Sequence, residues 1–139
     1  MIILDTNVIS DLMQPTPDAR VIAWLDRQPA ESIWLTSITL FELRFGLAML
    51  PSGKRRRTLE QSLVLLLHED LEHRVLDFDS AASIAAASLA AKRRRAGRPV
   101  DMRDTQIAGI ALARHATLAT RNTKHFADSG VTLVNPWAA

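Results

Sequence analysis

Short apolar runs alternate along the chain with longer segments in which apolar residues recur at helical spacing. The short runs predict strands at residues 2–4, 33–36, 75–78, 117–120 and 131–134. The helical spacing predicts helices at 8–13, 18–27, 38–50, 58–68, 80–95 and 101–115. Ser37 is the expected N-cap of the third helix, and Gly97 is expected to terminate the fifth.

Strands that alternate with helices predict a single α/β domain over residues 1–139, with helices on both faces of a mainly parallel sheet. In such sheets, ligands bind beyond the carboxyl ends of the strands. Chemistry is therefore expected in the residues that directly follow Leu4, Leu35, Phe78 and Ala119.

Composition narrows the class of protein. Of the 139 residues, 47% are hydrophobic and 23% charged, which is typical of one globular domain. The absence of cysteine excludes disulfides, cysteine-ligated zinc, iron–sulfur clusters and a cysteine nucleophile. No apolar run approaches the roughly 20 residues that span a bilayer, and Asp5 comes too early for a signal peptide. We expect a cytoplasmic protein without a membrane partner.

The positive charge is concentrated in two clusters, at 54–57 and at 92–95, although the net charge is only +2. Clusters of arginine and lysine on an otherwise balanced chain suggest a polyanionic partner. The alternative is that both are solvated helix ends, since cations are favoured at helix C-termini.

Polar side chains follow two of the predicted strands. Asp5 comes directly after the first strand, where Asp5, Thr6 or Asn7 could each cap the next helix. If Thr6 or Asn7 is the cap, the Asp5 carboxylate is free for catalysis or metal binding. Asn122 follows the strand at 117–120, where it could serve as a turn residue or bind a hard cation.

Two helices carry further carboxylates. Glu42 lies among apolar residues, and a buried carboxylate is costly unless it is paired or bound to metal. Arg44 is a poor partner for it, because residues two apart on a helix do not face each other. Asp101 and Asp104 have the spacing of a helix N-terminal cap, in which Asp101 caps and Asp104 could bind a metal ion.

Together these residues predict an acidic, metal-binding centre at one edge of the sheet. Carboxylates held close together repel one another unless a cation intervenes, and oxygen ligands suit Mg²⁺ or Mn²⁺. A cationic rim around such a pocket fits a nucleic-acid backbone. The chain lacks the glycine-rich nucleotide-binding motifs, a serine-hydrolase elbow and histidines at metal spacing. We expect its histidines to be surface or helix-end residues: His68, His73, His115 and His125.

Several segments, in order along the chain, resemble PIN-domain proteins, and in particular the VapC-type toxins of the FitB-like branch. They are Leu4-Asp5-Thr6-Asn7-Val8-Ile9-Ser10, Glu42 in its apolar helix, Asp104-Thr105-Gln106-Ile107-Ala108, Leu118-Ala119-Thr120-Arg121-Asn122-Thr123-Lys124-His125-Phe126 and Val134-Asn135-Pro136-Trp137. The resemblance covers essentially the whole chain.

The resemblance implies a Mg²⁺- or Mn²⁺-dependent endoribonuclease, the toxin of a bacterial type II toxin–antitoxin pair. It implies that Asp5, Glu42 and Asp104 are catalytic and bind the metal. It further implies a homodimer and a small DNA-binding antitoxin that joins it in a larger assembly on operator DNA. Asn122 stands where the family often has a fourth acid, which removes a charge and puts a second metal ion in doubt. Auxiliary roles fall to Asp101, Thr6, Asn7 and Thr120.

Two alternatives to a ribonuclease remain open from the residues. One is a PIN-fold regulator that binds RNA or protein with little or no catalysis, which the loss of charge at Asn122 favours. The other is a metal-dependent phosphohydrolase with a different substrate, because acidic residues at strand ends do not distinguish RNA from DNA.

Overall fold

A parallel five-stranded sheet runs through the centre of the computed structural model, which describes residues 1–139. Its strands lie in the order β3-β2-β1-β4-β5, and every neighbouring pair is parallel. The chain winds to one side of β1 through β2 and β3 and to the other side through β4 and β5, so a crevice opens between the ends of β1 and β4. The strands are β1 (Ile2–Leu4), β2 (Ile33–Thr36), β3 (Val75–Leu76), β4 (Thr117–Ala119) and β5 (Thr132–Val134).

Helices cover both faces of the sheet and enclose two hydrophobic cores. They are α1 (Thr6–Leu12), α2 (Ala19–Asp26), α3 (Ser37–Ala48), α4 (Lys54–Leu65), α5 (Ser80–Arg95) and α6 (Met102–Arg114), with short helical turns at Ala30–Ser32, Leu66–Asp70 and Thr123–Phe126. Leu4 packs into the core beneath α1–α4, whereas its neighbour Ile3 packs into the core beneath α5 and α6. Successive strand residues face opposite sides of a sheet, which explains why β1 has no polar position. None of the helices is both long and apolar enough to cross a membrane.

The predicted α/β architecture is confirmed, and α5 has the predicted bounds, with Gly97 beyond its end at φ +70°. The predicted start of α4 at residue 58 is wrong, because the helix begins at Lys54. Its first turn consists of lysine and arginine, which are good helix formers but show no apolar periodicity.

The predicted cap of α3 is also wrong by one residue. The Thr36 hydroxyl, rather than that of Ser37, accepts the N–H of Thr39 at 3.1 Å. Ser37 Oγ accepts instead the N–H of Phe78, at 3.3 Å. The predicted end of β3 at residue 78 is wrong, because pairing with β2 stops at Leu76 and the N–H of Phe78 bonds to this side chain instead of to a strand.

Close packing of α5 against α6 fixes the helix whose first turn carries Asp104. Gly109 faces the alanine-rich side of α5, and a Cβ atom at this position would lie 2.6 Å from the carbonyl oxygen of Ala82 and 2.7 Å from Cβ of Ala86. Relief of a clash with a backbone oxygen at that distance would require α5 itself to shift. The two helices can approach this closely only because residue 109 has no side chain.

We expect Gly109→Ala to lower the free energy of unfolding by about 1–3 kcal/mol, the usual cost of overpacking a core. Gly46 is the matched control, because it lies within α3 and has no atom within 4 Å of its would-be Cβ. Gly46→Ala should raise stability by roughly 0.5–1 kcal/mol through helix propensity alone. Urea unfolding of both variants tests this, and stabilisation by Gly109→Ala would contradict the packing argument.

Candidate active site

Asp5 lies at the carboxyl end of β1 and is only 4% exposed. Its Oδ1 atom accepts the N–H of Thr6 at 2.8 Å, so Asp5 itself is the N-cap of α1. The alternative in which Thr6 or Asn7 caps α1 is therefore wrong. Capping occupies only one of the two carboxylate oxygens of Asp5. The other, Oδ2, accepts the Thr120 hydroxyl at 2.7 Å and the side-chain amide of Asn7 at 3.3 Å.

The pKa of Asp5 is raised, above all because burial disfavours its charged form. Hydrogen bonds from Thr120, Thr6 and Asn7 oppose this effect, and the negative charge of Asp104 adds to it. Asp5 is thus a desolvated carboxylate held by neutral donors, with no cationic side chain bonded to it.

Thr120 and Asn7 tie the ends of β4 and β1 together. The Asn7 amide lies 3.3 Å from the Thr120 hydroxyl, and its carbonyl oxygen accepts the N–H of Arg121 at 3.2 Å. Asn122 donates its backbone N–H to Thr120 Oγ1 at 3.0 Å, while its exposed side chain forms no hydrogen bond within the chain. The auxiliary residues Thr6, Asn7 and Thr120 thus surround Asp5, whereas Asn122 contributes through its backbone.

Glu42 reaches the same edge from α3, with its side chain 22% exposed. The Thr6 hydroxyl donates to Oε1 at 2.9 Å, and Arg103 from α6 lies 3.6 Å from Oε2. Arg44, by contrast, forms no ion pair with it, as expected. The Arg103 guanidinium also stacks over the exposed ring pair of Phe41 and Phe45, at 5.4 and 5.8 Å from their centroids.

Asp104 projects from the first turn of α6 and is 24% exposed. Its Oδ2 atom lies 3.3 Å from Nδ1 of His125. Burial raises the pKa of Asp104 most, followed by the negative charge of Asp101 and, to a smaller extent, that of Glu42. The contact with His125 opposes all three effects. Asp101 is exposed and caps α6 by accepting the N–H of Asp104 at 3.0 Å, as the spacing predicted.

A buried arginine, absent from the sequence-based candidates, holds the Asp104 side of the site in place. Arg93 is 5% exposed and pairs with Asp128 at 3.1 Å. It also donates to the Thr105 hydroxyl at 3.1 Å and to the carbonyl of His125 at 2.9 Å. One guanidinium therefore joins α5 to the start of α6 and to the turn that carries His125.

His125 and Arg93 were missed for separate reasons. His125 does not have the spacing of a metal-binding histidine motif, and its partner Asp104 is distant in sequence. The sequence therefore predicts a surface residue, and the side chain is indeed exposed, but it also contacts Asp104. Arg93 sits within the basic cluster 92–95, and composition does not separate it from its exposed neighbours. The one available signal is its helical spacing from Ala82, Ala86 and Leu89, which lie on the buried side of α5.

The acidic centre is lined by carboxylate and hydroxyl oxygens, the kind of ligand that hard divalent cations prefer. As the side chains stand, no three acidic or histidine residues converge for direct coordination of one ion. The charge of Asp104 nevertheless acts on Asp5, and that of Glu42 on Asp104. A cation would relieve this repulsion, and Mg²⁺ commonly binds through one or two carboxylates while it keeps several waters. The fold and the site together define a parallel α/β domain with an oxygen-lined acidic centre at the switch point of its sheet.

Comparisons with known proteins place this domain in a family. The PIN domain family model matches residues 2–130. VapC ribonuclease Y4jK of Sinorhizobium fredii is 44% identical over 99% of this chain and 98% of its own length. Toxin FitB of Neisseria gonorrhoeae is 37% identical over 99% of both chains. The solved structure of FitAB bound to an IR36 DNA fragment superposes with a TM-score of 0.89 at 36% identity, over 99% of this chain and 96% of the other.

The chain belongs to the PIN domain family, and its relatives include VapC- and FitB-type proteins. The resemblance carried by the motifs of the sequence is thereby confirmed.

We expect Asp128→Asn to lower the free energy of unfolding by about 2 kcal/mol, because it leaves the buried Arg93 charge without its anionic partner. Arg93 holds the pKa of Asp128 below its usual value. The carboxylate therefore adds stability above a pH of about 4, which is lost as pH falls through the lower folded pKa. The gap between wild type and Asp128→Asn should close over that acidic range.

Urea titrations of both proteins from neutral to acidic pH measure this gap. Asp77→Asn is the control, since Asp77 is exposed and its side chain forms no ion pair. A gap that stays constant down to pH 2, or one no larger than that of the control, would contradict the role of the pair.

Proposed function

We propose that this protein is a metal-dependent endoribonuclease and the toxin of a type II toxin–antitoxin pair, acting in the bacterial cytoplasm. The observation that carries the proposal is the linkage of Asp5, Glu42 and Asp104, from three separate segments, at one edge of the sheet: Thr6, the neighbour of Asp5, donates to Glu42, and the negative charge of Asp104 acts on Asp5. Two relatives, VapC ribonuclease Y4jK and Toxin FitB, support by their names the substrate class and the toxin role.

Asp5, Glu42 and Asp104 would hold Mg²⁺ or Mn²⁺, which when bound lowers the pKa of a coordinated water and offsets negative charge on a phosphoryl group. Thr120 and Asn7 fix the orientation of the Asp5 carboxylate, and Thr6 does the same for Glu42. Because Asn122 is neutral, the centre has three acidic side chains and no fourth carboxylate that would hold a second ion.

Arg103 and His125 occupy the outer oxygens of two of these carboxylates. Arg103 lies near Oε2 of Glu42, and His125 lies near Oδ2 of Asp104. Arg103 is 47% exposed and His125 61%, so either can swing out when a cation or an RNA phosphate arrives. The Arg103 guanidinium offsets part of the negative charge of Glu42 until then.

The two basic clusters have different roles. In the cluster 92–95, at the C-terminus of α5, cations are favoured by the helix dipole and Arg93 is buried. The cluster 54–57 lies at the N-terminus of α4, where the dipole disfavours cations. Of its members only Arg56 forms an ion pair, with Glu60 at 2.7 Å. Positive charges at this end of a helix lower its stability. Their presence there supports a role in binding RNA.

The assembly we propose is a homodimer that binds a small antitoxin and, through it, operator DNA. The structure of FitAB on DNA, which superposes closely on this chain, supports this arrangement.

Purified protein should cut single-stranded RNA with Mn²⁺ and not with EDTA, and Asp5→Asn and Asp104→Asn should each lower the cleavage rate by about 100-fold or more. Thr120→Val removes the hydroxyl that donates to Asp5 and accepts from Asn7 and Asn122, and it should cost roughly 10–100-fold. Asp26→Asn is the control, because Asp26 is exposed at the end of α2. Rates are measured on a labelled RNA by gel.

Full activity in both Asp5→Asn and Asp104→Asn would exclude this site. RNA binding without cleavage under any divalent metal would favour the non-catalytic regulator, and cleavage of DNA alone would favour a different phosphohydrolase.

Metal binding can be tested without any substrate. A ligand present at 100 times its Kd stabilises the folded state by about 2.7 kcal/mol, which corresponds to a rise in Tm of roughly 8 °C for a domain of this size. We expect Mn²⁺ to raise the Tm of the wild type in this way and that of Asp26→Asn equally. In Asp104→Asn the rise should be largely lost. An equal rise in all three proteins would place the bound ion elsewhere.

A further inference from the structure

Arg121 is an exposed arginine one residue beyond Thr120, the hydroxyl of which donates to Asp5. Its guanidinium lies over the ring of Trp137, 5.0 Å from the centroid. Its backbone N–H is held by Asn7, the residue that also contacts Asp5. Arg121 is therefore attached at both ends, through its backbone to the acidic site and through its side chain to an aromatic ring.

Trp137 is a fixed support for this guanidinium. The ring is 7% exposed and belongs to the core beneath α1–α4. Its backbone N–H donates to Oδ1 of Asn135 at 3.0 Å, which sets the turn that returns the C-terminal segment to the sheet. The Asn135-Pro136-Trp137 motif supplies none of the acidic residues of the site. Its contact with Arg121 is therefore a separate observation.

Other arginines around this edge are committed to carboxylates. Arg103 pairs with Glu42, and Arg93 and Arg98 both pair with Asp128. Arg121 forms no ion pair, and Asp18, which feels its charge, is already bound by Arg20 at 2.8 Å. Stacking on a ring leaves the in-plane N–H groups of a guanidinium free for two parallel bonds to a phosphate.

We infer that Arg121, presented on Trp137, binds a backbone phosphate of the RNA next to the phosphate that lies in the acidic centre. The substrate class rests on the proposed function; the position of the contact rests on the Arg121 geometry. A phosphodiester strand serves both places, because its repeating phosphates can reach the acidic centre, when that centre holds a cation, and the free guanidinium.

The test is equilibrium binding of a fluorescent 12-nucleotide single-stranded RNA, measured at several salt concentrations. Ca²⁺ replaces Mn²⁺, and a gel verifies that the RNA stays intact. Each phosphate contact on a single strand contributes about 0.7 to the slope of log K against log salt. Arg121→Met should lower that slope by about 0.7 and weaken binding about fivefold in 0.1 M salt.

Two further variants separate a phosphate contact from a structural role. Arg121→Lys keeps the charge and should retain the slope. Arg27→Met is the matched control, since Arg27 is exposed at the end of α2 and forms no ion pair, and it should behave as the wild type. In cleavage assays Arg121→Met should raise KM and leave kcat nearly unchanged.

A wild-type slope in Arg121→Met would overturn the inference, and so would weaker binding with an unchanged slope, which indicates a structural effect. If the wild type binds RNA with the expected Arg121 dependence but never cuts it, the proposed ribonuclease fails and the Arg121 contact stands. If the wild type cuts RNA while Arg121→Met keeps its slope and KM, the ribonuclease stands and the Arg121 contact fails.

Discussion

The site depends on a carboxylate that the fold buries at the switch point of its sheet. Asp5 must follow β1 directly, cap α1 with one oxygen and leave the other facing the crevice. Burial makes its charged form costly, and only neutral donors compensate for it. The sheet order, the capped helix and the threonine at the end of β4 are all required to hold this group in place.

Asp104 shares this constraint, because burial and the negative charges of Asp101 and Glu42 raise its pKa. Glu42 faces the Arg103 guanidinium, and Asp104 faces the His125 imidazole. These partners are exposed and exchangeable, whereas Arg93, which positions the Asp104 side, is buried and permanent. The side chain that builds the site is thus different from the two side chains that a ligand can displace.

Sequence reasoning predicted the fold and the position of Asp5 at the edge of the sheet because both follow from local rules. A buried parallel strand must be apolar throughout, as Ile3 and Leu4 are, and the residue after it must lie at the ligand-binding edge. It could not find the contact between Asp104 and His125, which depends on how the turn after β4 packs against α6. It also placed the start of α4 too late, because a basic first turn lacks the periodicity that marks a helix.

The arginines show most clearly why a cluster in the sequence is a poor guide to nucleic-acid binding. What decides whether an arginine is free is the presence of a carboxylate within reach, and that is set by tertiary structure. Arg93 lies in the centre of a basic cluster and is wholly committed to the fold. Arg121 lies in no cluster, yet it is uncommitted, fixed on Trp137 and adjacent to the acidic centre. A guanidinium held in this way loses little conformational freedom when it meets a phosphate, so the support of an arginine matters as well as its charge.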